Sequence, residues 1–304
     1  MFSNKYNEPL DSNLLFHYKK VIFSNYELNE YNNPINFRNT YSKFNHSVNN
    51  LPNTLTHLTL GAYFNQPVNN LPNTLTHLTF DYYFNQPVNN LPNTLTHLTF
   101  SYSFNQSVDN LPNTLTHLTF GNNFNQSVNN LPNTLTHLTF GDHFNQSVNN
   151  LPNTLTHLTF GFYFNQSVDN LPNTLTHLTF GYKFNQSVNL SLNIKYLKLD
   201  CNNQYLIDNL HDGIKELELN SNFNLELNNL PSSIKSILFN ENSPYNKELN
   251  CLPNFIELMQ LPAKYDKKIL KIPKGLKKVI CYKNYKFIED FNNLNVKTYS
   301  QYNI

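Results

Sequence analysis

A nine-residue block, Leu-Pro-Asn-Thr-Leu-Thr-His-Leu-Thr, returns every 20 residues, starting at Leu51, Leu71, Leu91, Leu111, Leu131, Leu151 and Leu171. A second block, Phe-Asn-Gln followed by Pro or Ser and then Val, keeps the same period from Phe64 through Phe84, Phe104, Phe124, Phe144 and Phe164 to Phe184. Phe44-Asn-His-Ser-Val48 is an earlier variant of it. One unit of 20 residues cannot enclose its own apolar side chains, so each copy must be covered by its neighbours. The period therefore demands a solenoid, with like residues piled in files.

The contents of a copy dictate its course. From Leu58 to Leu60 apolar and polar residues alternate, which is the periodicity of a strand with one face buried. The threonines suit such a pleated surface. Gly61, replaced by Asp81 and Ser101 in two copies, supplies a bend after the strand. Pro52 is incompatible with a central strand or a helix interior. The rest of the copy leaves little room for a helix, so the return path is expected to be extended or made of short turns. Leu51, Leu55, Leu58, Leu60, Phe64 and Val68 are the expected inward anchors. The fold class is mainly β: a solenoid of about 20-residue turns with a continuous parallel sheet, strands about 4.8 Å apart, and little helix.

Fainter copies extend the array. The positions of Leu55, Leu58 and Leu60 are refilled by Ile194, Leu197 and Leu199, by Ile214, Leu217 and Leu219, and by Ile234, Ile237 and Phe239. Ile256, Met259 and Leu261 follow, then Leu276, Val279 and Cys281, and Val296 and Tyr299 close the series. The spacing slips by one residue near Leu190 and by two between Glu241 and Asn250, as loop insertions would produce. Toward the N-terminus Tyr18, Val21 and Phe23 fit the template, and Ile35 and Phe37 suggest one further degenerate copy. The expected organisation is an N-terminal cap with degenerate repeats over 1–43, near-perfect repeats over 44–189, and degenerate repeats with a C-terminal cap over 190–304.

Hydrophobic residues make up 39% of the chain, low for a globule but too regularly spaced for disorder. The formal net charge is +1, and between Lys43 and Lys183 there is no Lys or Arg. That disfavours phosphate backbones along this stretch, so no nucleic-acid partner is expected. Lys264 to Lys286 holds nine lysines against one aspartate, Asp266, and reads as a solvated surface near the C-terminal cap or as a patch for an acidic partner or nucleic acid, though it has no arginine and no recognised nucleic-acid motif. Cys201, Cys251 and Cys281 are widely spaced and odd in number, which suggests reduced thiols. With no signal-like start and no apolar run long enough to span a bilayer, the chain is expected inside a cell, in the cytoplasm, with no membrane partner.

The Leu55-x-x-Leu58-x-Leu60 strand resembles the leucine-rich repeat in its shortest class. It is closer still to the FNIP repeat, through Leu71-Pro72 to Phe80 and Phe84-Asn85-Gln86-Pro87-Val88. The resemblance implies a curved solenoid engaged in protein–protein interaction, with no catalytic residues or cofactor, from a giant virus of amoebae or a social amoeba. In that setting a host or viral protein is the expected partner. An F-box before the repeats in some relatives offers the alternative of a ubiquitin-ligase substrate adaptor. Residues 1–40 lack the apolar pattern of one. The asparagine that leucine-rich repeats place three residues after the last strand leucine is here variable: Tyr63, Tyr83, Ser103, Asn123, His143, Tyr163, Lys183. The invariant asparagine is two positions later, at Asn65 and its equivalents, and is expected to form an internal ladder on backbone groups.

In near-identical copies the differences carry the information. The triplet after the strand changes from copy to copy while its flanks do not, and it supplies Tyr63, Tyr82, Tyr83, Tyr102, Asn123, His143, Tyr163, Tyr182 and Lys183. These positions are expected to be exposed. They are either free to drift or a recognition strip, for which tyrosine is well suited. His77, His97, His117 and His137 belong to a histidine file on the polar side of the strands, from His57 to His177. That file is either a duplicated solvated residue or a site for metal or proton sensing. No Walker loop, HExxH, GxSxG or paired-carboxylate arrangement occurs, so no enzymatic role is expected.

Overall fold

The alternation after each Leu-Pro turn does produce strands, and all of them are short. In the computed structural model, which describes residues 1–3, 5–23, 27–28, 34–36 and 41–300, the chain divides into two units, 1–155 and 156–304.

The first unit contains a one-turn helix, α1 (Ser12–Leu15), and strands β1 (Lys20–Ile22), β2 (Glu27–Leu28), β3 (Pro34–Asn36), β4 (His57–Leu60), β5 (His77–Phe80), β6 (His97–Thr99), β7 (His117–Thr119) and β8 (His137–Thr139). β1 and β4 to β8 pair in parallel and in strict register, so that His57 faces His77 and Leu58 faces Leu78. The second unit contains β9 (His157–Thr159), β10 (His177–Phe180), β11 (Tyr196–Leu199), α2 (Gln204–Asp208), β12 (Glu216–Leu219), β13 (Ser236–Phe239), β14 (Leu258–Gln260), β15 (Lys278–Tyr282), a 3₁₀ turn (Ile288–Phe291) and β16 (Asn295–Tyr299). Its eight strands are likewise parallel and in sequence order. Each unit is thus a leucine-rich-repeat-like solenoid with one strand per coil and hardly any helix.

The register slips fall between elements. His177 pairs with Tyr196 and Ser236 with Leu258, so coils of 19 and 22 residues replace the usual 20 without breaking the sheet.

Every expected anchor is inside. Leu55, Leu60 and Phe64 have 0% exposure, Leu58 and Val68 1%. Such side chains each contribute about 1.5–3 kcal/mol relative to exposure. The phenylalanines interlock as two files: Phe80 lies 3.7 Å from Phe84 in its own coil and 5.6 Å from Phe100 in the next. Phe2, Phe23 and Phe44 close the N-terminal end of this stack, with ring centroids 5.0 and 3.9 Å apart.

The invariant polar residues are consumed by bonds between coils. Thr74 Oγ1 donates to the Leu55 carbonyl at 2.6 Å, and Thr76 Oγ1 to the Thr56 carbonyl at 3.1 Å. The Asn85 backbone N–H donates to Asn65 Oδ1 at 2.9 Å, and Gln86 Nε2 donates to the same oxygen. The asparagine ladder therefore exists, but it runs along a partly exposed edge rather than inside.

At the N-terminal edge the structure departs from the template. Val21 and Phe23 are buried, but Tyr18 is 57% exposed, because among the described residues no earlier coil covers it. Ile35 lies in β3, which pairs antiparallel with β2 and is not a further coil; Phe37 lies outside the described residues. At the other end Val296 and Tyr299 pair with Val279 and Tyr282 and remain half-buried in the edge strand β16.

Candidate partner-binding surface

The variable triplet follows each strand as a turn whose backbone is pinned to the coil before. The amide of Tyr83 donates to the Ala62 carbonyl, Ser103 to Tyr82, Asn123 to Tyr102 and His143 to Asn122, each at 2.9 Å. Side chains at these positions are thereby held on a fixed frame while their chemistry is free to vary.

Two files result. One runs Ala62, Tyr82, Tyr102, Asn122, Asp142; the other runs Tyr63, Tyr83, Ser103, Asn123, His143. Tyr63, Tyr83 and Tyr102 are exposed by 46%, 42% and 38%, and His143 is also exposed, whereas Tyr82 and Asn123 are half-buried. The expectation of uniform exposure fails at Ala62, which is fully buried. Tyr41, 20 residues ahead of Gly61, reaches within 6.3 Å of the Tyr63 ring and 6.0 Å of Tyr82.

The tyrosines form one cluster. Tyr82 stacks on Tyr102 at 4.7 Å with 1° between planes, Tyr63 lies 5.1 Å from Tyr83, and Tyr82 meets Tyr83 edge-on at 4.7 Å. Burial, with its neighbours Tyr102, Tyr83 and Tyr41, raises the Tyr82 pKa, so its phenol stays protonated. Tyr41 was not legible as part of this surface because it precedes the near-perfect copies; its offset of 20 residues from Gly61 was the available signal. In the second unit the same two files hold Phe162 and Tyr182, 4.9 Å apart, with Tyr163 47% and Tyr182 37% exposed. Lys183 Nζ lies 5.1 Å from the centre of the Tyr182 ring.

The histidine file is half-buried on the sheet's outer face. His57, His77, His97, His117 and His137 stack with successive centroids 4.2 Å apart. Thr76 Oγ1 sits 2.9 Å from His77 Nδ1 while donating to the Thr56 carbonyl. The Thr56 carbonyl also accepts from the Thr76 and His77 amides, so the hydroxyl joins a carbonyl of the coil before to the ring nitrogen of its own coil. The same arrangement recurs at Thr96–His97, Thr116–His117 and Thr136–His137. Each ring is thereby tethered at Nδ1 to a threonine hydroxyl. Burial first, then the neighbouring histidines, lowers the pKa of His77, His97 and His117; Lys20 adds to the effect at His77.

Stacked near-parallel rings set their ring nitrogens side by side. A zinc ion needs nitrogens converging on it at about 2.0–2.1 Å. Among the described residues no group of three or more His, Cys, Asp or Glu converges in this way. Nor is any helix of the described residues long and apolar enough to cross a membrane. The only helix described before residue 40 is the four-residue α1. Cys201 and Cys281 are buried free thiols, the first pushed up to about 12 by burial, while Cys251 is exposed.

The FNIP Repeat family pattern matches residues 44–82, 64–103, 84–123, 104–143, 124–163 and 144–183. A solved structure of CroV588, a giant-virus protein described as a novel circular LRR protein, aligns at 43% identity with a TM-score of 0.67. That alignment covers 79% of this chain and 39% of CroV588, so the chain spans well under half of that relative. The functional domain of InlJ from Listeria monocytogenes aligns over 90% of this chain and 60% of its own at 12% identity, with a TM-score of 0.46. No curated protein matches the sequence.

Proposed function

Starting from a chain built of tandem FNIP repeats on a leucine-rich-repeat-like fold, we propose that it is a non-catalytic scaffold that binds a protein partner through the triplet strip. One observation carries this reading. The invariant threonines and asparagines are used up in holding coil to coil, while the residues that differ sit at the surface. In the first unit exposed Tyr63, Tyr83 and Tyr102 offer large, amphipathic contacts beside Tyr82, Asn123 and His143, with histidines on the adjoining strand face; in the second unit exposed Tyr163 and Tyr182 do the same beside Lys183. Aromatic side chains of this kind dominate interface energetics, because they bury much area at low conformational cost. The partner is a host or viral protein, met in the cytoplasm.

The test is affinity capture from amoebal lysate with the wild-type chain and with a variant carrying Tyr63→Ser, Tyr83→Ser, Tyr102→Ser and Tyr163→Ser. A partner retained by the wild type and lost by a variant of unchanged circular dichroism supports the reading. Reproducible absence of any partner, or capture insensitive to the substitutions, overturns it.

A further inference from the structure

The first residues of the chain form a coil that the repeat pattern does not reveal. Tyr6-Asn7-Glu8-Pro9-Leu10 takes the place that Phe64-Asn65-Gln66-Pro67-Val68 takes in a near-perfect copy. The Asn45 amide donates to Asn7 Oδ1 at 3.3 Å, as the Asn65 amide donates to Asn45 Oδ1 at 2.9 Å. The Tyr6 ring lies 6.1 Å from Phe44, as Phe44 does from Phe64. Thr54 Oγ1 donates to the Phe16 and Tyr18 carbonyls, as Thr134 Oγ1 does to those of Asn113 and Leu115. Phe2 pairs in parallel with Phe23, and its amide donates to the Ile22 carbonyl at 2.8 Å, as the Phe23 amide does to the Thr59 carbonyl at 3.0 Å. Residues 2–23 are therefore one coil, with Phe2 in the place of the last residue of a strand.

Beside Phe2 the outer edge of β1 is open. In the coils that follow, the amides of Thr76 and His77 donate to the Thr56 carbonyl of the strand one coil back. The equivalent amides in β1 and just before it are those of Lys20 and Lys19, and among the described residues they have no acceptor. Against this edge lies a cavity of about 380 Å³, lined by Leu10, Leu14, Leu15, Tyr18 and Val21, with one charge of each sign, Asp11 and Lys20. Leu14 and Tyr18 are 72% and 57% exposed, whereas Leu55 and Leu75, in the place of Tyr18 in later coils, have 0% exposure. The molecule shows repeatedly what covers such a surface. Each of β5 to β8 is flanked by the parallel strand one coil back, which lays leucine against leucine, as Leu58 against Leu78.

We propose that this edge receives, by strand addition, an extended uncharged segment of a partner protein that carries the repeat's own Leu-x-x-Leu pattern and runs parallel to β1. An open strand edge is a template for such pairing: main-chain bonds supply affinity, and pockets for alternate side chains supply specificity. Here a carbonyl of the incoming segment accepts from the Lys19 and Lys20 amides, as the Thr56 carbonyl accepts from Thr76 and His77. Its two leucines enter the cavity over Tyr18 and Val21, in the places that Leu55 and Leu58 hold against the next coil. The balanced charge of the lining matches a segment like the repeat block Leu-Pro-Asn-Thr-Leu-Thr-His-Leu-Thr, which has no acidic residue, lysine or arginine. None of these residues belongs to the triplet strip, so failure of either reading leaves the other standing.

The experiment titrates the full chain into a fluorescently labelled peptide with the sequence of residues 51–59, and into the same peptide with serine at the places of Leu55 and Leu58. The leucine peptide is expected to bind saturably and at least about tenfold more tightly than the serine peptide. In the chain, Leu14→Ser combined with Tyr18→Ser should weaken it by at least about tenfold. Both side chains are exposed, so the variant should keep the wild-type circular dichroism. Phe16→Ser, 60% exposed and outside the cavity lining, is the control expected to change nothing. At saturating peptide, hydrogen exchange of the Lys20 amide should slow by at least about fivefold. No saturable binding, equal binding of the two peptides, or binding indifferent to the double variant overturns the proposal. So does binding that leaves Lys20 exchange unchanged, since the segment would then not be a strand on β1.

Discussion

Removing one rung of the asparagine ladder isolates the bond that joins neighbouring coils. In Asn105→Ala, the Asn125 amide loses the Oδ1 acceptor it meets at 2.9 Å, and Gln126 Nε2 loses its partner at 3.2 Å. The Asn105 amide keeps its own bond to Asn85 Oδ1 at 2.9 Å, so the damage falls on one side of one coil. The edge is only half-buried, so water replaces part of what is lost, and the cost should be about 1–2 kcal/mol rather than the full penalty of a buried orphan. A repeat array need not unfold in one step. The informative assay is therefore amide hydrogen exchange at Asn125, whose protection should fall by about 5- to 30-fold. Asn105→Asp keeps an acceptor oxygen and should recover most of it. Asn185→Ala tests the reasoning from the opposite side, since no described amide donates to its Oδ1; its effect should stay within about 0.5 kcal/mol. Asn125 exchange unchanged in Asn105→Ala, or an equal loss from Asn185→Ala, would refute the ladder as a source of stability.

Acidification should destabilise the first unit. The folded-state pKa values of His77, His97 and His117 are lowered by burial and by each other. The unfolded chain therefore binds more protons: the stability is complete above the unfolded value of about 6.5 and is lost as pH falls through it to the lower folded values. Melting temperatures at pH 7.5 and 5.5 should show this drop, and replacing the three histidines by Gln should flatten it. Tyr245→Phe should stabilise the second unit by about 1–3 kcal/mol in denaturant titration. The phenol is 0% exposed, its hydroxyl has no hydrogen-bond partner among the described residues, and phenylalanine fills the same file at Phe223; a loss of stability would show that the hydroxyl is bonded after all. Gly141→Ala should lower the melting temperature clearly, because a Cβ there would stand 2.2 Å from the Gly121 carbonyl oxygen, an overlap typically costing about 1–3 kcal/mol.

The solenoid was legible because its signal is repeated: a period of 20 and an alternating Leu58–Leu60 stretch leave few ways to bury the anchors. The inward positions could be read even in the degenerate copies, down to Met259 and Cys281, both with 0% exposure. What could not be read were properties set by neighbours one coil away. Tyr18 has a template residue's sequence position but, among the described residues, no coil above it. Ala62 is buried while Tyr102 in its own file is exposed, and Tyr41 lies against Tyr63 and Tyr82. The tether of the histidine rings depends on a threonine hydroxyl and a carbonyl from different coils. The surface composition was visible in the sequence; the gathering of five tyrosines into one cluster, and the acid standing beyond them, required coordinates.

The bonds joining coils mostly connect atoms 19, 20 or 21 positions apart, and they are nearly the same from copy to copy. A gene rearrangement that drops or doubles one whole copy therefore leaves every remaining junction chemically intact. Chain length becomes a freely adjustable trait of this molecule, like the number of rungs on a ladder. What such an event does alter is the distance between any two surface features. In this architecture, recombination between copies is a ruler that resets how far a tyrosine stands from an aspartate without asking the interior to be redesigned.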